Sequence, residues 1–329
     1  MGDPAGIGPE VAAKALAHHD LAACCRPLLV GNASVLQHAL QLLGSDLTLD
    51  IIADVGARRL EPSACAALDL RNVDLAALEP GKVSADSGRA SWEYAKLATE
   101  LAIKGEVDAV ATGPINKAAW RAAGMPHIGH TELLTALADL DATASQVTTM
   151  LATGGLRVVH VTRHVPLAEV AALITRDRVL DTIRTTYKGL VRMGIPQPRL
   201  AVAALNPHGG DGGLLGQEEI EEIAPAVHAA RQAGIDADGP IPADSVFFQA
   251  IAGEFDVVVA MYHDQGHIPI KTHGFARSVT VTLGLPFVRT SVDHGTAFGI
   301  AWQGKADETS MVEAIRLAAR LAQTRKFAP

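Results

Sequence analysis

The chain has 329 residues, 48% of them hydrophobic and 19% charged, which excludes a disordered protein because disorder needs low hydrophobicity and high net charge. Its 28 Lys and Arg against 36 Asp and Glu leave a net charge of −8, which disfavours a nucleic-acid-binding surface, whose footprint is basic. No apolar run reaches the roughly 18 residues of a membrane-spanning helix, and the three cysteines lack metal-binding spacing, so we expect a reduced cytoplasmic protein of about two domains.

Short β-branched runs alternate with Ala- and Leu-rich stretches, the pattern of an α/β protein. Several runs, such as 257–261, are continuously apolar, which indicates a parallel sheet covered on both faces. The predicted strands are Pro27–Val30, Leu49–Ala53, Asp108–Ala111, Val147–Leu151, Arg157–Thr162, Leu200–Leu205, Asp256–Met261, Val279–Leu283 and Phe287–Ser291. The predicted helices are Pro9–His18, Gly88–Lys104, Asp177–Met193, Glu218–Ala233 and Glu308–Ala322. No linker marks a boundary, so we expect two domains that share a continuous or interlocked sheet.

The first ten residues contain a strand-to-helix turn, with Pro9 suited to the first helical turn. Its glycines are not a dinucleotide fingerprint, because Pro4 and Pro9 interrupt them and G-x-G-x-x-G is absent. Met1 falls where the leading strand should end, so we expect the native chain to begin about ten residues upstream.

Four segments concentrate polar residues at or after predicted strands: 163–166, 206–213, 262–267 and 289–296. Ligands of open parallel sheets bind outside the carboxyl ends of the strands. Three of these segments carry a histidine just past a strand end, namely His164, His208 and His263. Three neutral imidazoles with open coordination positions suit a catalytic divalent metal. The alternative is that each histidine only caps or hydrogen-bonds its own loop.

Cations and helix starts predict an anion site near these segments. Beside an open metal site, Lys271 and Arg289 would hold a carboxylate or phosphate, although each alone could be a solvated surface charge. Thr131, in Gly129-His130-Thr131-Glu132, is expected to cap a helix whose free N–H groups attract anions. The turn at 112–117 ends in a further cation, Lys117. The alternatives are that Thr131 only caps its helix and that 112–117 is an ordinary turn.

Together these segments resemble the 4-hydroxythreonine-4-phosphate dehydrogenase family of pyridoxine biosynthesis, from Gly2 to about Gly304. The shared motifs occur in the same order: GDPAGIGPE at Gly2–Glu10, TGPINK at Thr112–Lys117, GHTE at Gly129–Glu132, NPH at Asn206–His208, PADS at Pro242–Ser245, YHDQG at Tyr262–Gly266 and LGLPFVRTSVDHGTA at Leu283–Ala297.

The resemblance implies an isocitrate/isopropylmalate-dehydrogenase-like fold with an active-site cleft between two α/β/α domains. The first domain would comprise residues 1–128 with 292–329, and the second, residues 129–291, would carry the metal ligands and dimer contacts. The resemblance also implies a homodimer with shared active sites. NAD, or alternatively NADP, would bind without a G-x-G-x-x-G loop, together with one Zn, Mg, Mn or Co ion per subunit.

The same resemblance assigns roles to individual residues. The metal ligands would be His164, His208 and His263. The substrate contacts would be His130, Thr131, Lys271, Thr280 and Arg289. The acid–base candidates are Asp244, Asp264 and Lys117. The cofactor contacts would be Asp293, His294 and Gly295.

The residue at position 280 separates two branches of the resemblance. The pyridoxine branch has Asn there, whereas this chain has Thr280. At this position and in segments 162–164 and 265–268, the chain resembles the branch that acts on D-threonate or D-erythronate 4-phosphate. We therefore expect oxidation of the 3-hydroxyl followed by decarboxylation to dihydroxyacetone phosphate, without nucleic-acid or membrane partners. The alternative is a 4-hydroxythreonine-4-phosphate dehydrogenase. A cis-dihydrodiol dehydrogenase or a non-catalytic sugar-phosphate-binding protein fits the motifs less well.

Overall fold

The computed structural model describes residues 1–18, 20–57, 64–140 and 147–325. Its α-helices are α1 (Gly8–Leu16), α2 (Leu21–Cys24), α3 (Ala33–Leu42), α4 (Ala85–Ile103), α5 (Lys117–Ala122), α6 (His130–Leu137), α7 (Leu167–Leu173), α8 (Arg176–Arg192), α9 (Ala224–Gln232), α10 (Ala243–Ile251), α11 (His263–Gly274) and α12 (Thr309–Arg325). Its strands are β1 (Leu28–Gly31), β2 (Thr48–Ile52), β3 (Ala64–Asp69), β4 (Ala109–Thr112), β5 (Thr148–Thr153), β6 (Leu156–His160), β7 (Leu200–Ala203), β8 (Ala237–Ile241), β9 (Val257–Ala260), β10 (Val279–Leu283) and β11 (Val288–Val292). Within these ranges no helix is long and apolar enough to cross a membrane.

The chain divides into two compact units. The first comprises Met1–Leu140 and Leu285–Gln323, and the second comprises Asp141–Gly284 and Thr324–Pro329.

The first unit contains a parallel three-stranded sheet of order β1-β3-β2, and β4 pairs in parallel with β11. Helices α4 and α5 are in very close contact at Gly88, where an added Cβ would lie 2.1 Å from the carbonyl oxygen of Ala119. Trp120 is fully buried at this contact, and its indole N–H donates to the Ser91 hydroxyl at 2.9 Å. The contact thereby holds the start of α5 in place.

The N-terminal turn is buried in the same unit. The N–H of Asp3 donates to the Pro114 carbonyl at 2.9 Å, and the N–H of Ile7 donates to the Thr296 carbonyl at 3.0 Å. The turn therefore joins the segments that follow β4 and β11. A Cβ at Gly6 would lie 2.8 Å from the Thr296 Cβ, so this position has no room for a side chain.

The second unit has the strand order β10-β5-β6-β9-β7-β8. Strand β5 runs antiparallel to β6 and β10, whereas β6, β9, β7 and β8 are mutually parallel neighbours. The central strands are fully buried, with Val158, Val258 and Ala201 at 0% exposure. The loops after β6, β9 and β7 leave the same edge of the sheet, since parallel strands end together.

The predicted α/β class with a largely parallel sheet is confirmed, and all nine predicted strands are present, with ends shifted by no more than two residues. Two strands were missed. Strand β3 is rich in Ala, and β8 contains Pro240, which lacks an N–H donor. The predicted helix 218–233 exists, but it starts as a π-helical turn over Glu219–Ile223 before α9. The polar segment 262–267, predicted only to follow a strand, forms the first turns of α11.

Candidate active site

The ends of β6, β9 and β7 are held together by hydrogen bonds. The Thr162 hydroxyl donates to the Met261 carbonyl at 2.8 Å, which joins the end of β6 to that of β9. The Gln265 amide oxygen accepts the Met261 N–H at 2.6 Å, and its nitrogen donates to the Ala204 carbonyl at 2.7 Å. Because Gln265 is 8% exposed and fully engaged, it fixes the first turns of α11 over β9 and β7.

Two of the predicted metal ligands lie near each other at this edge. The ring centroids of His164 and His263 are 5.7 Å apart, and the ring planes are tilted by 44°. His263 is the first residue of α11, and its Nδ1 lies 2.6 Å from a carboxylate oxygen of Asp264. When Nδ1–H donates to this carboxylate, Nε2 is left with its lone pair for a metal. The geometry therefore favours an orienting role for Asp264, which was a candidate acid or base.

His208 lies on the exposed turn after β7, where its φ is 54°. Glycines 209, 210 and 212 also have positive φ, a conformation that costs glycine little. The start of the turn is anchored by Glu219, which is 3% exposed. Its carboxylate accepts hydrogen bonds from the backbone N–H groups of Leu205 and Asn206 at 2.8 and 2.7 Å. His208 is thus an exposed residue of a loop whose first residues are anchored by Glu219.

Across residues 1–18, 20–57, 64–140 and 147–325 of the single chain, no three His, Cys, Asp or Glu side chains converge in a group that could hold a metal ion. The triad of His164, His208 and His263 therefore stays a prediction. The donor chemistry nevertheless suits a divalent metal, since imidazoles of this kind are its common protein ligands.

Two further histidines contact His263 and were not singled out from the sequence as site residues. The ring of His267 stacks on that of His263, with centroids 3.6 Å apart and planes within 11°. His160, at the end of β6, is 4% exposed, and its ring lies 4.8 Å from that of His267. Burial, reinforced by the neighbouring His267 and His263, lowers the pKa of His160 to about 3, so the ring is neutral. The i, i+4 spacing of His263 and His267 was the sequence signal that could have identified His267 as a neighbour of His263.

A cationic cluster occupies the first unit, where Arg289 of β11 lies beside the end of β4. Arg289 is 5% exposed, and its guanidinium donates to the Thr112 hydroxyl at 2.7 Å. Burial lowers the pKa of Arg289 to about 10, which still leaves it charged at neutral pH. Lys117, the exposed first residue of α5, approaches the start of α6, because a Cβ at Gly129 would lie 3.3 Å from the Lys117 Cε.

His130 begins α6 within the same cluster. Its ring meets the Trp120 ring edge-on, with centroids 5.7 Å apart and planes at 79°. Burial of the ring, followed by the positive charges of Arg289 and Lys117, holds the pKa of His130 well below its usual range. Two cations, a neutral imidazole and the start of α6, which no side chain caps, form an environment suited to an anion.

The predicted capping role of Thr131 is wrong, because the N-cap of α6 is Gly129 and no side chain caps this helix. Thr131 instead lies in the first turn, and its carbonyl accepts the Thr135 hydroxyl at 2.7 Å. The glycine cap leaves the first N–H groups of α6 open to a ligand rather than closed by a hydroxyl.

The other predicted substrate and acid–base residues belong to the second unit. Lys271 lies on α11 with its ammonium 4.9 Å from the centre of the Phe275 ring. Thr280 is half-buried on β10, opposite Leu151 of β5. Asp244 is exposed in the first turn of α10.

The predicted cofactor residues follow β11 in the first unit. The Asp293 N–H lies 3.4 Å from the Ser310 hydroxyl, and the His294 Nδ1 lies 3.0 Å from the Gly295 carbonyl oxygen. The Nε2 atom of His294 is buried and has no hydrogen-bond partner among the residues that the structure describes. A Cβ at Gly295 would meet nothing within 4 Å, so there is open space beside the backbone of the next residue.

The fold and these motifs define an α/β protein of the dehydrogenase type, and comparison with known proteins identifies the family. The family model for pyridoxal phosphate biosynthetic protein PdxA matches residues 23–318. The chain belongs to this family, which confirms the resemblance inferred from the motifs.

Relatives of known name extend over nearly the whole chain. A protein of Symbiobacterium thermophilum, provisionally named D-threonate 4-phosphate dehydrogenase, is 49% identical over 322 residues, 98% of this chain and 95% of the relative. The solved 4-hydroxythreonine-4-phosphate dehydrogenase of Klebsiella pneumoniae is 44% identical, with a TM-score of 0.90 and coverage of 98% and 96%. The terephthalate 1,2-cis-dihydrodiol dehydrogenase of Burkholderia xenovorans is more distant, at 34% identity, a TM-score of 0.66 and coverage of 97% and 96%.

Proposed function

We propose that this protein oxidises D-threonate or D-erythronate 4-phosphate with NAD and a divalent metal, and that it decarboxylates the product to dihydroxyacetone phosphate. The observation that carries this proposal is the buried Arg289 beside the neutral His130 and the start of α6. Such a cluster suits a phosphate, and close relatives are named for phosphorylated four-carbon substrates.

The phosphate end of the substrate would be held by charge. Arg289 offers a planar guanidinium that can bind two phosphate oxygens, and its buried setting strengthens those bonds relative to water. Because His130 is neutral, it contributes a hydrogen bond without adding a further charge. Lys271 is the second cation that we assign to the phosphate.

The reacting end would involve His164, His208 and His263 as metal ligands. When bound, the metal would supply Lewis-acid chemistry to the oxygen at C3, and NAD would supply the hydride acceptor. His263 is prepared for this role by Asp264, which engages its Nδ1 atom. Among the described residues the triad is not assembled within one chain. By the resemblance, we propose that a second subunit of a homodimer completes each site.

The chemistry of the substrate determines the second step. Oxidation at C3 converts the acid into a β-keto acid. The electrons of the C1–C2 bond then move toward the C3 carbonyl, CO₂ leaves, and C2 takes up a proton. The acid–base group would take the 3-hydroxyl proton during the oxidation and supply the proton to C2, and it is one of Lys117, Asp244 and Asp264. Asp264 is the weakest candidate because it is paired with His263.

The cofactor is assigned to the segment after β11. Within the described part of the chain, the buried Nε2 of His294 is a polar atom without a partner, and the open space at Gly295 allows a ligand to approach the backbone. We assign NAD, with NADP as the alternative, to this position by the resemblance.

The second candidate function is a 4-hydroxythreonine-4-phosphate dehydrogenase, which the solved structures at 44–45% identity favour. The two functions are separated by a panel of D-threonate, D-erythronate and 4-hydroxythreonine 4-phosphates, assayed by NADH absorbance with matched metal and NAD. We expect one of the first two to give the highest kcat/KM, with no turnover after metal removal. A higher kcat/KM for the amino acid phosphate would transfer the assignment to the second candidate. Absence of NADH with all three would favour a non-catalytic sugar-phosphate-binding protein.

A further inference from the structure

The side chains around His263 include two histidines that the proposed chemistry does not use. His267 lies one helical turn after His263 on α11, and its Nδ1 is 3.0 Å from the His263 carbonyl oxygen. An Nδ1–H that donates to this carbonyl fixes the orientation of the His267 ring. The ring then covers one face of the His263 imidazole at 3.6 Å.

The geometry of the stack excludes a shared ligand role. A metal bound to an imidazole nitrogen lies near the plane of that ring, about 2.0–2.1 Å from the nitrogen for zinc. The planes of His263 and His267 are almost parallel, at 11°, and their centroids are 3.6 Å apart. No single point lies close to both planes at bonding distance from both rings. His267 is therefore a neighbour of the metal ligand rather than a co-ligand.

His160 supports the stack from the sheet. It is 4% exposed, and its ring packs against His267 at 4.8 Å and 33°. Its Nε2 would lie only 2.3 Å from a Cβ at Gly266, so the ring rests directly on the backbone of α11. With Ala in place of Gly266, this contact could not form.

From this geometry we infer that His267, backed by His160, is a positioning residue that holds the His263 ring in the orientation needed to bind the metal. The inference rests on the proposed function for the identity of His263 as a ligand. Asp264 engages Nδ1 of His263 and His267 covers one face, so the ring is fixed before the metal arrives. Hydrogen-bonding partners of metal ligands typically change metal affinity about 10- to 100-fold when they are lost, and we expect the lower end of this range for a stacked neighbour.

The test measures metal affinity directly, without turnover. The metal-free full-length protein is titrated with Co²⁺ in competition with a chromophoric chelator, and the Co²⁺ absorption spectrum is recorded. We expect His267→Leu to raise the Kd about 10-fold and to alter the spectrum, because the planar ring is lost. His267→Phe keeps a ring that can stack, so its Kd should stay within about threefold of the wild-type value.

A matched control is His273→Ala, which removes an exposed histidine from the same helix α11. It should leave the Kd unchanged. The melting temperature of each metal-free variant identifies loss of folding, and His160→Leu then tests the support from the sheet with α11 unaltered. A wild-type Kd for His267→Leu and His160→Leu, or an equal rise for His273→Ala, would overturn the inference. Absence of Co²⁺ binding in the wild-type protein would instead overturn the metal assignment itself.

Discussion

Arg289 offers the most direct separation of substrate binding from stability. The residue is 5% exposed, its guanidinium donates to the Thr112 hydroxyl at 2.7 Å, and burial lowers its pKa to about 10. Arg289→Met keeps the apolar length of the side chain and removes the charge. Two charge-assisted bonds to phosphate at about 1.5 kcal/mol each amount to about 3 kcal/mol, or more than a 100-fold loss of kcat/KM.

The thermal stability of Arg289→Met should rise or stay unchanged. A buried charge carries a desolvation penalty, and replacing it with an apolar group of similar volume is often neutral or stabilising. The Thr112 hydroxyl loses a donor but still lies 3.5 Å from the Thr290 carbonyl. We therefore expect a melting temperature at or above that of the wild type, measured by scanning fluorimetry.

The control is Thr280→Ala, which removes a neutral hydroxyl. A neutral hydrogen bond contributes about 1 kcal/mol, so kcat/KM should fall about fivefold. The assay is NADH absorbance at varied D-threonate 4-phosphate. If kcat/KM falls less than tenfold in Arg289→Met, or falls as much in Thr280→Ala as in Arg289→Met, the phosphate is not held by the buried guanidinium.

Three further outcomes are expected. Metal-loaded crystals should show His164, His208 and His263 within about 2.0–2.1 Å of bound zinc, and distances beyond about 3 Å would refute the triad. Mixing inactive His164→Ala and His263→Ala proteins should restore activity after verified subunit exchange, because one site of each mixed dimer would carry neither defect; no recovery would count against shared sites. The folded-state pKa of His130 is depressed, so below about pH 6.5 the unfolded chain binds a proton at this ring more readily than the folded protein does. The stabilising contribution of His130 is therefore present above about pH 6.5, and the free energy of unfolding falls by about 1.4 kcal/mol for each pH unit below it. Urea unfolding at pH 7 and pH 5 should thus show a smaller loss for His130→Phe than for the wild type, and equal losses would contradict this account.

The candidate site was predictable where its residues follow strands. Apolar β-branched runs identify the strands locally, and parallel strands end at one edge, so the pattern alone favours His164 and His263 as neighbours, as their 5.7 Å separation confirms. Arg289 was singled out as a cation close in sequence to His294, but its burial could not be foreseen, because that depends on β4 and the Thr112 hydroxyl beside it. The capping role predicted for Thr131 failed because Gly129, rather than a hydroxyl, occupies the N-cap.

Sequence alone determined the α/β class, the family and the positions of nine strands, because these depend on residue patterns read along the chain. Strand β3 lacks β-branched residues and is a strand only because it lies between β1 and β2. Helix α11 contains glycines and Pro269, yet it is held by Gln265, which bridges Met261 and Ala204. Likewise, His160 looks in the sequence like any residue of a buried strand. Its place behind His267 and against Gly266 arises only when β6 and α11 pack together, because contacts between residues distant in the chain have no local pattern.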